Sequence, residues 1–216
     1  MSKETPANRQ QMRSRIAHLA ARLIAEDGVS DYGLAKRKAA RQAGAPDSRN
    51  LPTNIEIEEA VRAYQELYQA DEHPERLQEL RELALETMRL LAGFNPYLSG
   101  AVLSGTVGRH ADVHLQVYTD NPKDLEIFLH NQSVPFRARE LRMWIGELQA
   151  SVPDLVILAA QADIHVTVLS PVHLRLPLRL SLEGRPLERA PIDSVAGLVA
   201  GSARVAPGPP PTTEGG

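Results

Sequence analysis

The sequence predicts an α+β chain: an N-terminal helical region followed by a mixed sheet with helices on one face. Three observations predict it. Apolar residues recur at helical intervals through roughly the first ninety positions, and from Pro96 the period shortens to two, as in half-buried strands. At 216 residues, with 43% hydrophobic and 24% charged content, the chain is long and apolar enough for one good-sized domain with its own core. The organisation read from these changes is a disordered N-terminus at 1–12, a helical region at 13–93, an α+β domain at 94–200 and a disordered Pro/Gly tail at 201–216.

The first helix carries Ile16, Leu19, Ala20, Leu23 and Ile24 on one face and ends at Asp27-Gly28, where glycine suits a C-terminal cap. Ser30 or Asp31 caps a second, short helix that contains Leu34, Lys36, Arg37, Lys38 and Arg41 and stops at Gly44 and Pro46. Thr53-Asn54-Ile55-Glu56 has capping-box spacing and opens a third helix, with Ile57, Val61, Tyr64 and Tyr68 at helical intervals. Asp71 to Pro74 starts a fourth, whose stripe is Leu77, Leu80, Ala84, Met88 and Leu91, with Gly93 past its end. Val113, Leu115 and Val117 then alternate with polar residues as a strand, and Asp120-Asn121-Pro122 caps a short helix bearing Leu125, Phe128 and Leu129. Further strands are expected near Phe136 to Trp144, Leu155 to Ala159 and Ile164 to Leu169. Leu174 to Leu180 reads as an edge strand or extended arm because of Pro177.

Composition excludes several classes of function. No cysteine is present, so the chain has no disulfide framework, no cysteine-ligated zinc and no thiol nucleophile. The 4% aromatic content argues against base-stacking RNA or single-strand binders. No apolar stretch approaches the roughly 18–20 residues of a membrane span, and Met1 to Gln10 lacks a signal-peptide core, so a cytoplasmic protein is expected. The net charge of −3 conceals a split: the first fifty residues carry ten Lys/Arg against five Asp/Glu, and the remainder is acidic. A basic head on an acidic body fits contact with nucleic acid, with a protein partner or with the body itself.

The chemistry concentrates in Gly100-Ala101-Val102-Leu103-Ser104-Gly105-Thr106-Val107-Gly108-Arg109-His110-Ala111-Asp112-Val113-His114-Leu115. Glycines let backbone amides approach phosphates, and side chains at i and i+2 of a strand share one face, where carboxylates hold Mg²⁺. The segment resembles the minimal nucleotidyltransferases of the polymerase-beta-like superfamily. Gly100, Gly105 and Asp112 fall at the positions of that family's two glycines and first metal aspartate. The resemblance implies a nucleotidyltransferase-like sheet, phosphate binding around Gly100, Ala101, Ser104, Gly105 and Arg109, and a nucleoside triphosphate held with Mg²⁺ or Mn²⁺. Two positions depart from the pattern. Ala101 replaces a phosphate-binding serine, and His114 replaces the second carboxylate, which disfavours Mg²⁺ and suits a softer metal or none. The expected protein is therefore a nucleotide binder with a degenerate metal site and weak or absent nucleotidyl transfer.

Ala111-Asp112-Val113-His114-Leu115 is echoed by Ala162-Asp163-Ile164-His165-Val166. The superfamily takes a third carboxylate from a neighbouring strand, and by resemblance this is Asp163. Asp112 and Asp163 are thus the expected catalytic pair, and Asp112, His114 and Asp163 the expected metal ligands, with His165 beside them. Ordinary polar alternation on a half-covered sheet explains the same pattern without a metal. Over about residues 13–170 the chain is also similar to a set of uncharacterised bacterial proteins, typified by the run Ile24 to Ala40, some of which are labelled UDP-N-acetylmuramate–alanine ligase. The glycine-rich Gly-Lys-Thr/Ser loop of such a ligase is absent.

The alternative reading is a non-catalytic protein- or DNA-interaction module using the basic N-terminal helices, through Lys36-Arg37-Lys38 and Arg41. The acidic helix that follows (Glu56, Glu58, Glu59, Glu66) argues against DNA. His18 and His73 read as surface or cap residues and His130 as a helix-end residue, while His110 borders the candidate phosphate loop. Arg137, Arg139 and Arg142 have the chemistry for bidentate phosphate contacts, or for simple solubility on an exposed strand. Ser104 lacks nucleophile-elbow spacing.

Overall fold

A computed structural model describes residues 6–27, 29, 32–45, 51–68, 72–108, 110–180 and 186–202. Four helices come first: α1 (Pro6–Ala25), α2 (Tyr32–Gln42), α3 (Asn54–Tyr68) and α4 (Glu72–Leu90). The first three close around a core of their own, built from Ile16, Leu23, Ile24, Ile57 and Val61 together with the alanines Ala20, Ala21, Ala35, Ala39 and Ala40. Those alanines are essentially unexposed, and their small side chains let the helices approach closely. The capping box forms as its spacing predicts: the Thr53 amide donates to Glu56 Oε2 at 2.6 Å, and the Glu56 amide donates to Thr53 Oγ1 at 3.2 Å. Arg13 grips the same carboxylate through Nε and Nη2, both at 2.7 Å, and so ties α1 to the start of α3.

Two boundaries differ from expectation. Helix α1 begins at Pro6, inside the stretch expected to be disordered, because proline suits a first helical turn and Met12 packs against the helical core. Helix α4 leaves the helical head for the sheet, since its stripe of Leu80, Ala84, Met88 and Leu91 packs into the sheet core. The tail from residue 203 lies outside the described residues, and the last helix runs through Ser202.

The sheet has seven strands: β1 (Tyr97–Ser99), β2 (Val113–Tyr118), β3 (Phe136–Ile145), β4 (Leu148–Leu158), β5 (Asp163–Leu169), β6 (Leu178–Arg179) and β7 (Arg189–Pro191), in the order β6-β3-β4-β5-β2-β1-β7. Only β2 and β5 pair in parallel; the other neighbours are antiparallel. Three more helices complete the chain: α5 (Ala101–Ser104), α6 (Pro122–Asn131) and α7 (Ile192–Ser202). One face of the sheet carries Leu98, Val113, Leu115, Val117, Leu155, Ile164 and Val166, covered by α4, α6 and α7 through residues such as Met88, Leu125, Leu129 and Val195. The other face is divided. Its far end is apolar, with Tyr118, Met143, Ile145, Val152, Leu169 and Leu178 packed beneath Leu174 and Leu187. Its near end is polar. Among the described residues, no helix is long and apolar enough to cross a membrane.

Strand β4 starts at Leu148, well before the expected Leu155. Pro153 argues against a strand there, but its ladder to β5 begins only at Asp154, so at Pro153 the strand has β3 alone beside it and no second ladder to interrupt. The Leu174–Leu180 arm becomes a 3₁₀ turn (Pro171–Arg175) and the two-residue edge strand β6. Strands β1 and β7 and helix α7 escape the sequence reading.

The head meets the sheet domain at one loop, Ser104 to Gly108. Arg62 Nη2 donates to the Ser104 carbonyl at 3.4 Å, Gln65 Nε2 donates to the Val107 carbonyl and Tyr32 meets Thr106, while His73 of α4 meets the Gly105 backbone from the sheet side. Gly108 lies against the end of α1, where a Cβ would overlap the Ile24 carbonyl oxygen. Gly108→Ala should therefore destabilise the protein by about 1–3 kcal/mol, measured by urea unfolding; an unchanged midpoint would show that the backbone contact is not retained in solution. A second expectation concerns pH. Arg13, followed by the Thr53 donors, holds the Glu56 carboxyl down at about 2. Because the folded value lies below the ordinary one, this stabilisation is complete above the usual carboxylate range and is lost as pH falls toward 2. Glu56→Gln should remove that part of the acid slope in the stability profile.

Candidate functional site

Strand register assembles the polar end of the sheet. Parallel pairing sets His114 beside His165 and Gln116 beside Thr167, while antiparallel pairing sets Thr167 beside Asp154 and Asp154 beside Arg139. Because side chains alternate along a strand, Asp112, His114 and Gln116 share one face with Asp163, His165 and Thr167, and with Asp154, Arg137 and Arg139. Arg142 takes the opposite face. Asp112 precedes β2 by one residue and Asp163 opens β5, so the two sit at the same level of adjacent strands.

At the centre is Asp154, a carboxylate with 0% exposure. Arg139 Nε donates to its Oδ2 at 2.7 Å and Thr167 Oγ1 to its Oδ1 at 3.1 Å, while His165 Nδ1 stands 3.3 Å from Oδ2. Burial pushes this carboxyl up, but the hydrogen bonds from His165 and Arg139 outweigh it and leave Asp154 below the usual range. His165 links two acids, since its Nε2 lies 3.4 Å from Asp112 Oδ2. Arg139 Nη2 also reaches His165 Nδ1, at 2.7 Å. In the neutral ring Nδ1 accepts from Arg139 and Nε2–H faces Asp112; in the charged ring Nδ1–H can donate to Asp154. The Asp154 contact raises the His165 pKa. His114 stacks on His165 with centroids 4.9 Å apart and planes 17° from parallel. Desolvation, then repulsion from His165, lowers His114 to about 4, so it is a neutral imidazole at pH 7.

The glycine segment serves two directions. Gly100 ends β1 at φ +73°, a conformation that favours glycine, with its backbone against the His114 ring. Ala101 packs toward the core, and Gly105 is the left-handed C-cap of α5, its amide donating to the Ala101 carbonyl at 2.9 Å. Ser104 Oγ pairs with Thr106 Oγ1 at 2.8 Å. Ser104 thus faces the head and Gly105 faces α4, and of the expected phosphate-binding residues that are described Gly100 lies against a polar-face side chain, His114. Arg109 lies outside the described residues, and His110 is exposed.

Asp112 meets His165, and His114 stacks on it, whereas Asp163 is exposed at the strand start. Among the described residues, no group of three or more His, Asp or Glu side chains stands close enough to hold a metal ion. The donor set fits Mg²⁺ poorly, because the oxygens of Asp154 accept from Arg139 and Thr167, and an imidazole lies between the acids. Sequence reasoning missed Asp154, Thr167 and Gln116. The available signal was a single acid inside the apolar run Val152 to Leu158. No family model, curated protein or solved structure matches the chain.

Two measurements test this geometry. In an NMR titration of the imidazole C–H resonances, His114 should have its midpoint near 4 and His165 above the ordinary imidazole value; coincident midpoints would contradict the arrangement. Asp154→Ala leaves the Arg139 charge and the Thr167 and His165 side chains without their buried partner and should cost about 3 kcal/mol or more in urea, whereas Asp163→Ala should stay within about 0.5 kcal/mol.

Proposed function

We propose that the polar end of the sheet binds a nucleotide and that nucleotidyl transfer by it is weak or absent. The observation that carries this reading is the Gly100 turn that follows β1, set against His114, at the edge of a face that also presents Asp112, Arg137 and Arg139. A glycine turn and arginines on one sheet face suit the separate oxygens of a phosphate chain, because the backbone approaches closely and guanidinium groups donate in pairs.

Weak transfer follows from the same residues. Two-metal displacement needs carboxylate oxygens free to bridge the ions, and here a neutral imidazole stands at position 114 while the two oxygens of Asp154 accept from Arg139 and Thr167. ATP, CTP, GTP and UTP, each with Mg²⁺, Mn²⁺ or EDTA, should be tested in thermal-shift titrations of the full chain. At least one nucleotide should raise the melting temperature, since saturation at 100 Kd adds about 2.7 kcal/mol to stability. Labelled nucleotide should show little or no incorporation into acceptors. No shift under any condition would overturn the reading.

A further inference from the structure

We infer that this site holds the phosphate chain of its nucleotide directly through protein N–H groups, with Arg139 standing where a divalent cation would, so that binding needs no metal. The inference rests on the nucleotide reading above and concerns how the ligand is held.

A metal site and an anion site have opposite unmet needs: the first presents spare lone pairs, the second spare N–H groups. The oxygens of Asp154 accept from Arg139 and Thr167, and Asp112 Oδ2 faces His165 Nε2. Among the described buried polar atoms of this face, the one left unmet is a donor. Gln116 is 2% exposed and its Nε2 has no hydrogen-bond partner. Its orientation is determined by a chain of bonds: Arg189 Nη1 donates to the Tyr118 hydroxyl at 2.9 Å, so Tyr118 gives its own proton to Gln116 Oε1, also at 2.9 Å. That turns the amide nitrogen away from Tyr118 and leaves it short of an acceptor. A buried donor in this state is costly, and a ligand oxygen brought to this face would supply what it lacks.

Arg139 is the second donor. Nε and Nη2 are directed at Asp154 and His165, while the side chain keeps half of its exposure and Nη1 has no hydrogen-bond partner among the described residues. The Asp154 contact holds the guanidinium plane, so the remaining N–H groups are presented in a set direction, as phosphate recognition favours. Gln116, Thr167, Asp154 and Arg139 lie along one register row, which places both donors on the same strip of the face. A divalent ion at Asp154 would have to displace Arg139 or sit against its positive charge.

Isothermal titration of the full chain with ATP, in EDTA and in Mg²⁺, tests this. The expected result is a Kd equal within about threefold in the two buffers, competition by inorganic tripolyphosphate, and at least tenfold weaker binding by Arg139→Gln. Since that variant strips a buried carboxylate of a partner and can fail to fold, Arg139→Lys and Gln116→Met are measured alongside, with melting curves. Lysine keeps the charge without the fork and should weaken binding less than glutamine does, and Gln116→Met should weaken it by removing the spare donor. Unchanged affinity in the folded Arg139 variants would overturn the inference. Binding seen only with Mg²⁺ and abolished in Asp112→Ala would also overturn it while leaving the nucleotide site standing. Failure of all four nucleoside triphosphates to bind, with or without metal, would overturn both.

Discussion

The parallel pairing of β2 with β5 is the constraint on which the rest depends. A hairpin cannot make it, so the chain between Tyr118 and Asp163 must cross through α6, β3 and β4 before returning. The pairing sets Val113, Leu115 and Val117 beside Ile164, Val166 and Val168 on the helix-covered face. The hydrophobic effect fixes that alignment, because a slip of one residue would turn the valines outward and drive aspartate and histidine under α4 and α6. The polar face is then determined without further instruction. His114 lies beside His165 because their neighbours must be buried together.

Asp154 adds a second, electrostatic specification. An ionised carboxylate with no exposed surface is tolerated only when its oxygens are paired. Its donors Arg139 and Thr167 are its own register partners on β3 and β5. The three strands therefore share one hydrogen-bonded row, and a shift of either neighbour would leave a bare charge inside the sheet. The same row reaches β2 at Gln116, so the feature that holds the strands in register also shapes the surface offered to a ligand.

Much of this was legible from the residues. The helices up to α4, the capping box at Thr53–Glu56, strands β2, β3 and β5 and the edge character of Leu178–Arg179 all follow from periodicity or punctuation. A neighbouring strand for Asp163 was what the resemblance implied for the second Asp-x-His segment, and β2 and β5 do lie side by side. What escaped has identifiable physical causes. Strands β1 and β7 are three residues each, too short for a period to show. Pro153 concealed the first half of β4, since whether proline interrupts a ladder depends on neighbours that sequence does not name. Asp154 was invisible for the same reason: the sequence shows an acid in an apolar run, but the donors that make it tolerable come from strands distant in the chain.

The clamp on the Ser104–Gly108 loop has a kinetic consequence. The Gln65–Val107 contact joins residues 42 apart in sequence, and Gly108 rests on the carbonyl of Ile24, so neither contact exists until two separately cored parts of the chain have met. Loop closure of that span is entropically unfavourable and is repaid only on docking. The glycine segment is therefore among the last parts of the molecule to acquire its final shape during folding. The helical head acts on this loop as a mould that closes late, whereas the polar face, set by strand register, does not wait for it.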